Sequence, residues 1–264
     1  MEIGNKVAVV TGGASGIGAA LARRFIAEGA LGVVVADIDA EGARAVANAL
    51  GERAIAVRCD VSVEAEIQAL VQAAEARFGR VDIYASNAGI LGSAGGIELP
   101  DALWNAMWNI HLMAHVWAAR ALLPKMLERG EGYILVTASA AGLLNIVETA
   151  PYGVTKHAAV AFAEWLRIAY GRRGIRVSCL CPQSVETAMT AGGTSSAGVN
   201  GVLSPEAVAQ TVVDTMREER FLALPHPEVA DYMRGKTTDY DRWLGGMQKM
   251  YGRHMAGATG PTTK

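Results

Sequence analysis

The chain has 264 residues, 51% of them hydrophobic and 19% charged, with a formal net charge of −2. That composition belongs to a folded chain with ample core and excludes intrinsic disorder. Near-neutral charge argues against a protein built around nucleic acid, and no run approaches the ~20 apolar residues of a membrane helix.

The N-terminus, MEIGNKVAVVTGG, enters a strand pattern almost at once, with no basic region leading a long apolar stretch, so no secretory signal is expected. Strands are predicted at 6–10, 32–37, 54–60, 81–86, 132–139, 175–182 and 221–225. Between and after them, helical patterns run over about 16–29, 39–50, 62–79, 101–129, 152–173, 204–219 and 227–250. The strands are apolar nearly throughout, as expected where both faces are covered. Alternation of this kind predicts a doubly wound α/β fold, a parallel sheet with helices on both faces, as one domain over 1–264. The segment 183–203, rich in Gly, Ser, Thr and Ala, follows the C-terminal end of a strand, where open α/β sheets bind ligands. It is either a lid or an ordinary surface loop. The tail GATGPTTK reads as disordered. Three cysteines, Cys59, Cys179 and Cys181, sit in or beside apolar runs. So small and odd a number fits a reducing, cytoplasmic setting, and the i,i+2 pair reads as packing.

TGGASGIG (11–18) lies between the first strand and the first helix. Its glycines let the backbone turn tightly and approach a pyrophosphate, and the helix start supplies free N–H groups and partial positive charge. Gly12, Ser15, Gly16, Ile17 and Gly18 are therefore candidate cofactor contacts. The second strand ends in Asp37, followed by Ile38. A carboxylate there accepts both hydroxyls of an adenosine ribose and repels a 2′-phosphate. With no Arg or Lys after it, and Ser15 rather than a cation in the turn, the expected cofactor is NAD rather than NADP. The alternative is that Asp37 only caps a helix.

The spacing TGxxxGxG is joined, in order, by Cys59-Asp60-Val61, Asn87-Ala88-Gly89, Ser139 and Tyr152-Gly153-Val154-Thr155-Lys156. With these motifs the sequence resembles a short-chain dehydrogenase/reductase over about residues 4–225. The resemblance implies a seven-stranded parallel sheet of the Rossmann kind, with NAD(P) across its C-terminal edge. It further implies that Asp60 and Val61 contact adenine, that Asn87 and Gly89 lie along the cofactor, and that Pro182, Val185 and Thr187 meet the nicotinamide end. Gln183 departs from the family, which usually has glycine after that proline. Its side chain either shapes the substrate pocket or points to solvent.

Tyr152 and Lys156 stand one helical turn apart on one face. A tyrosine hydroxyl, with a pKa of about 10, is a poor base at neutral pH, but a neighbouring ammonium and the positive nicotinamide ring stabilise its phenolate. Tyr152 then takes the alcohol proton as hydride leaves, or returns it in reverse. Ser139 binds the substrate oxygen, and Lys156 also holds the nicotinamide ribose. Alone, a Tyr and a Lys at this spacing are ordinary helix surface; the glycine turn and Ser139 favour catalysis.

WNIHLMAHVW (108–117) carries His111 and His115 on one helical face. A zinc-protease helix needs HExxH, but Leu112 stands where Glu belongs and no third ligand is spaced for it, so no metal is expected. The family usually has a catalytic Asn seven residues after a Trp that precedes a Pro by twenty. Counted from Trp104 to Pro124, that position is His111, not Asn109. Its backbone carbonyl keeps the family role on this reading, and its imidazole joins or flanks the proton relay; the alternative is a buried neutral filler. His115 reads as interior or interface.

Met189, Met233, Trp243, Met247 and Met250 either line a pocket for a hydrophobic alcohol or ketone (aryl, alicyclic or terpenoid) or pack a core or subunit interface. The expected activity is NAD-dependent interconversion of a secondary alcohol and a ketone on a small molecule. Two other classes stay open: an epimerase or dehydratase of the same family, and a non-catalytic NAD(H)-sensing protein. The resemblance also implies a homotetramer, or a homodimer, built through 101–129 and 152–173, with Ala158, Ala159, Ala161 and Ala163 allowing close helix approach.

Overall fold

The computed structural model describes residues 1–191 and 196–258. Seven strands, β1 (Val7–Thr11), β2 (Gly32–Asp37), β3 (Ala54–Arg58), β4 (Ile83–Ser86), β5 (Gly132–Thr137), β6 (Ile175–Leu180) and β7 (Leu222–Ala223), form one sheet. Their order is β3-β2-β1-β4-β5-β6-β7 and every pairing is parallel. Successive side chains point to opposite faces, so each central strand feeds two cores. In β1, Val9 packs with the core on one face while Ala8 and Val10 join the other.

The first core is closed by α3 (Glu64–Phe78), α5 (Ala114–Arg129) and α7 (Ala150–Tyr170), through Leu70, Leu122 and Leu166 among others. The second is closed by α1 (Gly16–Ala27), α2 (Ala40–Leu50) and α8 (Pro205–Arg217), through Leu21, Val46 and Val212. All three cysteines are free and buried; Cys179 and Cys181 share a face with sulfurs 3.7 Å apart.

Two predicted helices are not continuous. Over 101–129, α4 (Asp101–Trp108) passes into a wider π-turn at Asn109–Met113 before α5 begins. The Ala114 N–H donates to the Asn109 carbonyl, five residues back, so one extra residue is absorbed in the turn that carries His111. Over 227–250 the chain forms α9 (Glu228–Thr238) and α10 (Tyr240–Ala258) instead. Asp239 between them is extended, and its carboxylate accepts the Arg242 N–H at 2.9 Å, which starts the second helix with a side-chain cap. A four-residue helix, α6 (Ala141–Leu144), was not expected. The predicted disordered tail lies outside the described residues from 259 onward, and 192–195 of the segment 183–203 do too.

Strand order reverses between β1 and β4, and a crevice opens there at the strands' C-terminal ends. Among the described residues, no helix is long and apolar enough to cross a membrane.

Candidate active site

A cleft of about 1190 Å³ occupies this crevice. Every cofactor position singled out in the sequence except Gly18 lines it: Gly12, Ser15, Gly16, Ile17, Asp37, Ile38, Asp60, Val61, Asn87, Gly89, Pro182, Val185 and Thr187. Ser139, Tyr152, Lys156 and Gln183 line it as well, whereas His111 and His115 lie behind its wall.

The glycine turn is held by its strand. The Thr11 hydroxyl accepts the N–H groups of Asn87 (2.9 Å) and Ala88 (3.2 Å), and the Asn87 amide donates to the Thr11 carbonyl at 3.0 Å. On the other side, Thr137 Oγ1 donates to Asn87 Oδ1 at 3.2 Å. Asn87 therefore ties together the ends of β1, β4 and β5. Gly12 has φ +65°, which favours glycine, and Gly18 packs directly against it. Ser15 precedes α1 with its side chain uncommitted to capping, so the helix start faces the cleft with free N–H groups. Asp37 is oriented by two backbone donors, Ala14 N–H and Asp39 N–H, each at 3.0 Å. Its oxygens keep further lone pairs, and Ile38 beside it is 60% exposed. These residues fit a dinucleotide: a glycine cradle at a helix start for the pyrophosphate, and a carboxylate for the ribose.

At the other end, Lys156 is buried and donates to the Thr137 carbonyl at 3.0 Å. Its Nζ lies 5.6 Å from the centre of the Tyr152 ring. Burial without an acidic partner lowers the Lys156 pKa to about 8. Burial also pushes the Tyr152 phenol upward, while the Ser139 hydroxyl beside it pulls the other way. Ser139 Oγ accepts the Ala141 N–H at 3.1 Å, so the start of α6 fixes its direction. Thr11, Thr137 and α6 were not singled out in the sequence. Thr11 opens the quoted turn, but the contribution of Thr137 to Lys156 is a backbone carbonyl, which has no sequence signature.

His111 is fully buried, and both of its ring nitrogens are engaged. The Ile90 N–H donates to Nε2 at 3.1 Å, so Nε2 carries no proton. The proton is then on Nδ1, which donates to Thr155 Oγ1 at 2.9 Å; that hydroxyl in turn donates to the Pro151 carbonyl at 2.8 Å. The imidazole stands edge-on to the Tyr152 ring, with centroids 5.5 Å apart. It flanks the tyrosine and ties the catalytic helix to the chain after β4. Burial, with the Lys156 cation nearby, holds its pKa well below the usual histidine range. Accordingly, the His111 ring stays neutral with its proton on Nδ1 from pH 5 to 8, as read by long-range ¹H–¹⁵N NMR. A titration midpoint inside that window would show a proton-carrying imidazole. Thr155→Val strands the buried Nδ1–H and lowers stability by about 1–3 kcal/mol, measured by urea unfolding.

His115 takes a different partner, Ser86 Oγ at 2.6 Å from Nδ1, and burial drives its pKa down to about 3. Among the described residues no group of three or more His, Cys, Asp or Glu is placed to hold a metal ion.

The crossed parallel sheet, the glycine cradle and the Ser139–Tyr152–Lys156 group define a nicotinamide-dependent α/β oxidoreductase. The short chain dehydrogenase pattern matches residues 6–197. The chain belongs to that family, the short-chain dehydrogenases/reductases, which act on CH–OH groups and their carbonyl counterparts. It is similar to a 1-deoxy-11-beta-hydroxypentalenate dehydrogenase of Streptomyces exfoliatus, 35% identical over 247 residues, which cover 90% of each chain. Among solved structures, a Burkholderia phymatum short-chain dehydrogenase/reductase in complex with NAD superimposes with a TM-score of 0.82. It is 32% identical, with 91% of this chain and 96% of that one covered. A Brucella melitensis 3-ketoacyl-(acyl-carrier-protein) reductase complexed with NADH gives a TM-score of 0.78 at 30% identity, covering 84% and 96%.

Proposed function

We propose that this enzyme interconverts a bulky hydrophobic secondary alcohol and its ketone, with NAD(H) as the cofactor. The observation that carries the reading is the single cleft that holds the glycine cradle at one end and Tyr152, Lys156 and Ser139 at the other. A nicotinamide held there would supply or accept the hydride. Tyr152 exchanges the proton with the substrate oxygen, Ser139 hydrogen-bonds that oxygen, and Lys156 keeps positive charge beside the phenol. His111 shares in this as a neutral side chain against the Tyr152 ring. Leu144, Ile146, Met189, Trp243 and Met247 line the cleft and supply an apolar substrate wall; Met250 extends it, while Met233 packs behind it. A panel of alcohols and ketones assayed with NAD(H) and NADP(H), with Tyr152→Phe as blank, tests the reading. NADH-linked turnover of neutral apolar substrates is expected. Cofactor binding without turnover would favour a sensing protein.

Asp37 is proposed to select NAD, supported by its fixed carboxylate and by Ile38 where a cation would serve a 2′-phosphate. Asp37→Ser is expected to weaken NADH binding by about tenfold, the loss of a charge-assisted bond pair, and to leave NADPH binding equal or tighter. Fluorescence titration with both cofactors checks this; a wild type that prefers NADPH would refute it.

We further propose a homotetramer, or failing that a homodimer, assembled through α4–α5 and α7. Outward-facing Trp108, Val154, Trp165 and Ile168 support it, the last 81% exposed. Ala159 and Ala163 face the chain's own core, leaving Ala158 and Ala161 for close helix approach. The free cysteines support a cytoplasmic setting.

A further inference from the structure

One face of α10 forms a wall of the cleft. Trp243, Gly246, Met247 and Met250 line it at the i, i+3, i+4, i+7 spacing of a single helical stripe, with Arg242 beside them and the capping Asp239 just before the helix. This wall belongs to the substrate end. Trp243 packs in a cluster with Ala140 and Leu144, and Lys236 on α9 donates to the Leu143 carbonyl at 2.7 Å, which docks this region on α6 next to Ser139.

Each carboxylate that lines the cleft is oriented by uncharged donors of the chain. Asp37 takes the Ala14 and Asp39 N–H groups, Asp60 takes the Ser62 N–H and hydroxyl, Glu148 takes the Ser196 N–H and hydroxyl, and Asp239 takes the Arg242 N–H. Among the described residues the cations lining the cleft are Lys156 and Arg242. Lys156 is spent on the Thr137 carbonyl at the reacting centre. The Arg242 side chain is exposed to the cleft and its guanidinium makes no hydrogen bond or ion pair with any described residue; the backbone N–H alone is taken up, by Asp239. One turn further along the helix, no atom of the described residues lies within 4 Å of where a Cβ on Gly246 would stand, so the wall is open there. Beyond it the stripe is apolar to Met250, about 12 Å along the helix from Arg242.

We propose that Arg242 is a substrate-anchoring residue, and that the substrate is an apolar, ring-sized alcohol or ketone that also bears a carboxylate. The planar guanidinium matches a carboxylate in a two-bond fork, and the open wall at Gly246 with Trp243 and Met247 takes the apolar frame. This rests on the alcohol/ketone reading above and adds the charge of the substrate to it.

Two probes of equal bulk and opposite character test it: adamantane-1-carboxylate and 1-adamantanemethanol, titrated calorimetrically into the NADH-loaded enzyme. The carboxylate is expected to bind about tenfold tighter, with the advantage shrinking as salt rises. Arg242→Gln should bring the ratio to about one and leave the affinity for NADH and for the alcohol unchanged, while Arg242→Lys keeps part of it. Gly246→Leu should weaken both probes. The proposal is overturned if the two probes bind wild type alike, if neither binds at millimolar concentration, if Arg242→Gln keeps the ratio, or if Gly246→Leu changes neither. Failure of the wild type to bind either NADH or NADPH would remove the alcohol/ketone reading as well. A preference for the neutral probe by NADH-loaded enzyme would remove only the carboxylate.

Discussion

Tyr152→Phe is expected to keep NADH affinity within about twofold and to lower turnover by about 10²–10⁴-fold, the usual contribution of a positioned proton donor or acceptor. The ring stays, with its contact to His111 and its place under the Lys156 ammonium, so fold and cleft are preserved. Only the oxygen that exchanges the proton is lost. The wild-type pH profile carries a matching sign. Burial holds the phenol above its usual range, so at neutral pH it is the acid form that meets a ketone. Ketone reduction should therefore fall as pH rises, and alcohol oxidation, which needs the phenolate, should rise. Lys156, lowered to about 8, favours that phenolate only while it is still protonated, so the rise in oxidation flattens on the alkaline side. Both limbs should vanish in Tyr152→Phe. Initial rates in both directions against pH measure this; a Phe variant with more than a tenth of wild-type turnover would assign the proton to another group.

The second large effect is expected at Gly18. A Cβ there would stand 2.0 Å from the Gly12 carbonyl oxygen and 2.9 Å from the Asn87 amide nitrogen. The first is backbone held at positive φ, and the second is the side chain that ties three strand ends. Neither gives way cheaply. Gly18→Ala should lose about 1–3 kcal/mol of stability from overpacking and, on the proposal that the same backbone cradles the pyrophosphate, at least tenfold in NADH affinity. Gly245→Ala on α10, where no atom of the described residues lies within 4 Å, is the control and should be neutral or slightly stabilising. Thermal unfolding and NADH titration of the two variants make the comparison, and equal behaviour would contradict the packing argument.

The cofactor end of the cleft was legible in the sequence because it is local. Eight residues, TGGASGIG, contain the strand exit, the turn and the helix start, and Asp37 follows at the next strand end. The Tyr152–Lys156 pair was legible for the same reason, one turn of one helix. The substrate end is assembled from segments far apart in the chain; apolar composition pointed to Met189, Trp243, Met247 and Met250, which line the cleft, but nothing in the spacing pointed to Leu144 or Arg242. The π-turn at Asn109–Met113 left no trace in the apolar pattern, since one extra residue in a turn shifts the periodicity less than the pattern resolves. The break at Asp239 did leave one: an aspartate three residues before the N–H it caps. Placing His111 at the family's asparagine position required only counting. Its partners did not follow from that count, because Ile90 N–H and Thr155 Oγ1 meet it only through tertiary packing.

The two ends of the segment from Ser184 to Leu203 are joined at one place, while Ser196 within it is held by Glu148 and Asn200 by the Tyr232 hydroxyl. Val185 is bridged to Leu203, the Leu203 N–H donates to the Ser184 carbonyl at 3.1 Å, and the Glu186 N–H donates to the Leu203 carbonyl at 2.9 Å. No sheet strand depends on what lies between, although Thr187 near its start packs against Gly16 of the glycine turn. Lengthening such a closed excursion costs only about 0.6 kcal/mol per doubling. Yet Met189 and Val199, which roof the cleft, are carried on it. Exchanging the excursion would therefore redraw that part of the cleft wall, provided the Ser196 and Asn200 anchors and the Thr187 contact with Gly16 are kept.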